Sequence, residues 1–145
     1  HLKRGPYHIC SVMDESVSDA PYILKGKFIN LFNPQLKVEE EIILKPSYRA
    51  LLLDLDAPQI KKDTPSIIVS AGRIREYNIN GNRINFITRG PLGIPGKVVV
   101  LCHKLPKKIS SLDAVDFKQD YDNKYHLIYL DFIHQGKDIH FEIDL

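Results

Sequence analysis

The sequence contains no tryptophan and a single methionine, and only two of its 145 residues are cysteine. Two cysteines cannot build a disulfide framework, so an apolar core must hold the fold. No apolar run approaches the roughly 18 residues of a membrane-spanning helix, which excludes that kind of anchor within the chain. A surplus of one charge sign is also missing: 20 basic residues stand against 18 acidic ones, for a formal charge of +2. Because the two signs are interleaved, no basic stripe is available to track phosphates, and nucleic acid is not expected as a partner. Helix-period spacing is nearly absent, and there are no internal repeats or low-complexity segments.

What is present is a series of short apolar runs rich in Val, Ile, Tyr and Phe, separated by turn residues. The runs predict strands at Tyr7–Met13, Ile23–Leu31, Lys37–Leu44, Arg49–Leu55, Ile67–Tyr77, Arg83–Thr88, Lys97–His103, Tyr125–Phe132 and Asp138–Ile143, with Ile109–Phe117 as a further candidate. Helix is conceivable only around Leu112–Asp120. The run Tyr77-Asn78-Ile79-Asn80-Gly81-Asn82-Arg83-Ile84-Asn85-Phe86 reads as a hairpin with a tight type I′ turn, since Asn and Gly both accept positive φ. Gln135-Gly136-Lys137 reads as a second hairpin connection. Asn33-Pro34, Lys45-Pro46, Ala57-Pro58, Thr64-Pro65 and the run from Gly90 to Gly96 mark loops. About nine closely spaced strands without crossover helices predict an all-β, antiparallel β-sandwich, immunoglobulin-like or jelly-roll-like. Leu127–Phe132 is apolar at nearly every position, as expected of a strand buried on both faces.

At this length one ordinary core is expected, hence a single domain over residues 1–145. The start at His1-Leu2-Lys3, with no initiator methionine, leads to the expectation of a domain excised from a larger multidomain protein.

No catalytic or cofactor fingerprint is found. The six histidines lack the His-Glu-x-x-His or Cys-x-x-Cys grouping of zinc sites. Asp54-Leu55-Asp56 and Asp120-Tyr121-Asp122-Asn123 carry calcium-like oxygens but read more simply as Asx turns. Of the paired carboxylates a glycosidase needs, Asp14 and Glu15 point to opposite faces of a strand. Glu39 and Glu41 share a face, but with Lys37 and Lys45 on it they describe a solvated edge. Gly90, Gly93 and Gly96 have the spacing of a phosphate cradle without the helix N-terminus that would make it one. Cys10 and Cys102 each sit in an apolar run, either as small buried residues or as the ends of a cross-sheet disulfide. A sugar-binding surface needs flat aromatic faces beside polar groups, and without tryptophan the candidates are Tyr48, Tyr121 and Tyr125. The last two flank Asp122-Asn123-Lys124, which would form a polar rim.

Two stretches carry a family likeness. The first comprises Lys3-Arg4-Gly5-Pro6-Tyr7, Asp14-Glu15-Ser16, Leu24-Lys25-Gly26-Lys27-Phe28-Ile29 and Leu31-Phe32-Asn33-Pro34. The second runs from Leu105-Pro106 through Ile109, Phe117 and Tyr121-Asp122 to Leu127-Ile128-Tyr129-Leu130-Asp131-Phe132 and Ile139-His140-Phe141-Glu142-Ile143. Together they resemble the terminal β-sandwich accessory domains of secreted bacterial glycoside hydrolases and related multidomain proteins. The resemblance implies a non-catalytic domain that packs against or orients a neighbouring catalytic domain, in an exported parent found in the periplasm, at the cell surface or outside the cell. It places the catalytic carboxylates outside these 145 residues. The readings that compete with it are a carbohydrate-binding module with polysaccharide as partner, an immunoglobulin-like interaction or adhesion domain, and a small enzyme whose site is assembled from distant residues.

Overall fold

The computed structural model describes residues 1–14 and 20–145. Among them are thirteen strands, all paired antiparallel, and no helix. The all-β class expected from the apolar runs is therefore the observed one, with more and shorter strands than the nine anticipated. Backbone contacts divide the chain into two compact units, His1–Ile60 and Lys61–Leu145.

The first unit is one five-stranded sheet. It comprises β1 (Leu2–Arg4), β2 (Tyr7–Ser11), β3 (Tyr22–Asn30), β4 (Val38–Leu44) and β5 (Arg49–Asp54), in the order β1-β2-β5-β3-β4. A two-residue loop, Gly5-Pro6, joins β1 to β2, with Gly5 at a φ of 56° that only glycine adopts without strain. Side chains alternate across the pleat, so His8 and Cys10 are buried while Tyr7, Ile9 and Ser11 are exposed. Cys10, Phe28, Ile42, Leu44, Ala50 and Leu52 form a single core cluster. Its members come from β2, β3, β4 and β5, so one face of the sheet supplies it. A register shift between Lys25 and Phe28 marks a β-bulge in β3. There the Phe28 ring lies over Gly26, where a Cβ would come within 2.6 Å of it. Backbone bonds of Val12 with Tyr48 and Ser47 continue the β2–β5 ladder beyond the Ser11–Arg49 pair.

The second unit is a two-layer sandwich. One sheet is β10 (Lys108–Ser111), β13 (Ile139–Asp144), β8 (Arg83–Arg89) and β7 (Arg73–Asn80), in that order. The other is β11 (Phe117–Asp122), β12 (Leu127–Ile133), β9 (Pro95–Leu101) and β6 (Ser66–Ser70). Inward residues of both sheets share one core built from Ile84, Phe86, Val98, Val100, Ile128, Leu130, Phe132, Ile139, Phe141 and Ile143. Phe141 sits at its centre, 5.3 Å from Phe86 in its own sheet and 5.0 and 5.5 Å from Phe132 and Phe117 of the other. Leu127, Ile128, Tyr129 and Leu130 are all essentially inaccessible, so β12 is buried on both faces, as its unbroken apolar run requires.

Several local expectations are corrected. The run Ile67–Tyr77 is two strands, because the chain leaves one sheet after Ser70 and enters the other at Arg73, with Gly72 at the corner. Gln135-Gly136-Lys137 is not a hairpin. Both edges of β12 are already taken by β9 and β11, so the following strand crosses to the opposite sheet. The helix conceivable at Leu112–Asp120 is a turn followed by β11, and strand β12 begins at Leu127 rather than Tyr125. The β7–β8 hairpin exists, with Asn80 paired to Arg83 and Gly81-Asn82 as its loop. Only Gly81 has positive φ, at 61°, which fits a type II′ turn rather than type I′.

Candidate functional site

In the first unit the outer face of the sheet is unusual. Leu2 lies opposite Ile9 across β1 and β2, and Ile23 lies opposite Ile43 across β3 and β4. Their exposures are 59, 45, 45 and 44%, and Tyr7 on the same face is 41% exposed. In the middle of that face Ile29 and Leu53, also a cross-strand pair, are fully buried. The centre of the sheet is therefore closed while two margins present paired aliphatic side chains to water. Single exposed apolar residues are ordinary; here they stand as cross-strand pairs on one face. Lys25 and Glu41, 4.0 Å apart beside the Ile23–Ile43 pair, supply a polar border.

The second unit offers a cleft of about 490 Å³ at the end of the sandwich where β9 and β11 begin and β12 ends. Pro95, Gly96, Phe117, Phe132 and Ile133 form its apolar floor, and Asp116, Lys118 and Asp131 its polar flanks. A second recess of about 360 Å³ joins it at Asp116 and Ile133 and adds Asp113, Gln135 and Lys137. Asp131 Oδ1 is held by Lys97 Nζ at 2.7 Å. Asp113 Oδ2 accepts both the backbone N–H of His140, at 2.7 Å, and its Nδ1–H, at 2.8 Å. These bonds, the backbone one foremost, hold the Asp113 carboxyl below the usual carboxylate range.

The residues singled out from sequence are dispersed. Tyr48, in the first unit, packs on the core cluster there, and its hydroxyl accepts a 3.4 Å hydrogen bond from Asn30. Tyr121 is drawn inward against the core of the second unit. Its hydroxyl donates to the Cys102 carbonyl at 3.3 Å and lies 3.4 Å from His126 Nδ1. Burial raises its pKa. Tyr125 stays in the β11–β12 turn under the Lys124 ammonium, 4.9 Å from its ring centroid. Cys10 and Cys102 are both buried free thiols, each in the core of a different unit. Burial raises the pKa of both.

The aspartates form the Asx turns anticipated: Asp54 Oδ1 accepts from Asp56 N, and Asp122 Oδ1 from Lys124 N and Tyr125 N. Among the described residues, no three His, Cys, Asp or Glu side chains come together as metal ligands do. Asp14 is engaged by the Ser47 hydroxyl. Glu15 and Ser16, part of the resembling stretch, lie outside the described residues. A part-buried polar cluster not anticipated from sequence joins His1 Nε2 to His8 Nδ1 at 2.9 Å and brings His8 Nε2 to 3.4 Å from Asp54 Oδ2.

Sequence reasoning passed over the open face. Its signal was there in Ile23-Leu24 and Ile42-Ile43-Leu44, where neighbours pointing to opposite faces are both aliphatic in one small sheet. The cleft had no such signal, because Asp116, Lys118 and Ile133 are brought together only by the antiparallel pairing of β11 with β12. No family model, no curated protein and no solved structure matches the chain.

Proposed function

We propose that the chain is a non-catalytic accessory β-sandwich domain of a carbohydrate-active enzyme, exported with its parent, and that it packs against and orients the catalytic domain. The observation that carries this reading is the open outer face of the first unit, with Leu2–Ile9 and Ile23–Ile43 paired across strands in water. The resemblance described above supplies the kind of neighbour. Covering each half-exposed Ile or Leu gains about 1 kcal/mol, so four of them are worth having a partner for. Such a face suits an apolar domain surface better than a sugar, whose hydroxyls would be left unpaired against it.

The test uses the catalytic domain encoded in the same reading frame, produced as a separate polypeptide and titrated with this chain by calorimetry. Saturable binding is expected, weakened at least about tenfold by Ile9→Glu or Ile43→Glu, since each would bury an unpaired carboxylate. Both positions are at the surface, so the variants keep their fold. Wild-type affinity in both variants refutes the docking face, and a reading frame without a catalytic domain refutes the accessory role. An immunoglobulin-like interaction domain is the alternative that the second outcome would favour.

A further inference from the structure

The cleft of the second unit is independent of the open sheet face, and its chemistry is different. The side chains of Asp116 and Lys118 stand on its flank with no ion-pair or hydrogen-bond partner among the described residues. Asp131 and Asp113 each have one oxygen committed, to Lys97 and to His140 respectively, which orients the carboxylate and leaves its other oxygen open. The lowered pKa of Asp113 keeps that group ionised, hence an acceptor, across the ordinary pH range.

Four features narrow the ligand. Among the described residues no three metal-ligating side chains come together, so the lining carboxylates do not form a cage for an ion. Acidic groups on both recesses repel phosphate and fatty-acid headgroups. Unpaired groups of both signs disfavour a ligand with net charge of either sign. The lining is largely apolar, with Pro95, Gly96, Phe117, Phe132 and Ile133 beside the polar flanks. A molecule with apolar C–H faces and many spaced hydroxyls, able to donate to carboxylates and accept from an ammonium and an amide, matches this lining. Charge-assisted bonds to hydroxyls are the strong contacts available to it. The two recesses meet at Asp116 and Ile133, so the ligand would be longer than one ring.

We propose that this cleft binds a neutral oligosaccharide that runs across Ile133, with its hydroxyls on Asp116, Lys118 and Gln135. The inference rests on the carbohydrate-associated reading above and moves sugar recognition onto this chain. The site is not Tyr121 and Tyr125, where sequence had placed a sugar surface.

The experiment is nuclear magnetic resonance titration of the isotope-labelled chain with neutral β-1,4-linked hexasaccharides of glucose, xylose, mannose and N-acetylglucosamine, each up to about 10 mM. Saturable shifts centred on the amides of Asp116, Lys118, Ile133 and Gln135 are expected for at least one sugar. Asp116→Asn should weaken it about tenfold or more through loss of a charged acceptor, with an otherwise unchanged spectrum. No saturable shifts, shifts centred on Tyr125, or undiminished binding by Asp116→Asn each overturn the proposal. So does preferential binding of a neutral extended peptide, which the open edge of β11 would favour. None of these outcomes touches the docking face, whose own test uses Ile9 and Ile43.

Discussion

Replacing Gly90 by alanine should destabilise the second unit far more than one methyl group implies. His134 is fully buried, and its ring is walled by three glycines. A Cβ at Gly90 would fall 2.4 Å from His134 Cδ2 and 2.6 Å from Cγ. The ring cannot retreat, because a Cβ built on Gly72 is already 2.7 Å from Cε1 and one built on Gly96 is 2.9 Å from Nε2, so backbone closes those sides. The backbone is pinned as well: His134 N donates to the Ile94 carbonyl at 2.9 Å, and its carbonyl accepts from Gly93 N at 2.8 Å. Alanine must therefore disturb the 2.8 Å bond between His134 Nε2 and the Ala71 carbonyl. Losing a buried hydrogen bond costs about 1–3 kcal/mol, and overpacking about as much again. Stiffening of the unfolded chain returns somewhat under 1 kcal/mol. The net is about 2–5 kcal/mol, or a fall in Tm of about 5–15 °C for a chain of this size. Thermal unfolding followed by circular dichroism measures it. Gly81→Ala is the control: a Cβ there meets open space, and only the positive φ of 61° is strained, costing about 1 kcal/mol. In a His134→Ala background the Gly90→Ala cost should nearly vanish, because the ring that it strikes is gone. A Tm for Gly90→Ala within about 2 °C of wild type, or an equal cost in both backgrounds, refutes the reasoning.

Two further outcomes follow from the titratable groups. A carboxyl whose pKa falls on folding, as that of Asp113 does, adds stability that is fully present above its ordinary pKa near 4 and lost as pH falls through the lowered value. The stability gap between wild type and Asp113→Asn, from urea unfolding, should thus be full at neutral pH and close below about pH 4; an equal gap at both pH values contradicts this. Cys10 and Cys102, buried and raised in pKa, should both resist Ellman's reagent in the native protein and both react once guanidinium unfolds it. Rapid native labelling of either thiol would show that its core opens readily.

The class of the fold was legible because period-two patterning is local. The alternation of Ile139, Phe141 and Ile143 with polar neighbours identifies β13 from six residues, and the unbroken run Leu127–Leu130 announces burial on both faces. Which strand pairs with which was not legible. Gln135-Gly136-Lys137 has the composition of a hairpin loop, yet the occupied edges of β12 send the chain to the other sheet, a constraint set by residues about thirty positions earlier in β9. Gly72 likewise looks like an isolated glycine in a strand, and its role at a sheet-changing corner under His134 depends on a residue far along the chain. The tyrosines show the same limit from the other side. Tyr121 has a polar rim in sequence, but its parity on β11 turns it to the core, while the polar groups of the cleft come from two strands and two loops.

The most direct test of the accessory role is hydroxyl-radical footprinting of this chain, free and within the whole polypeptide that its gene encodes. Leu2, Ile9, Ile23 and Ile43 should oxidise readily in the free chain and be protected several-fold in the whole product, while Leu92, exposed in the other unit, serves as an internal reference. Equal oxidation of those four side chains in both forms would contradict the claim that this face is covered by a neighbouring domain.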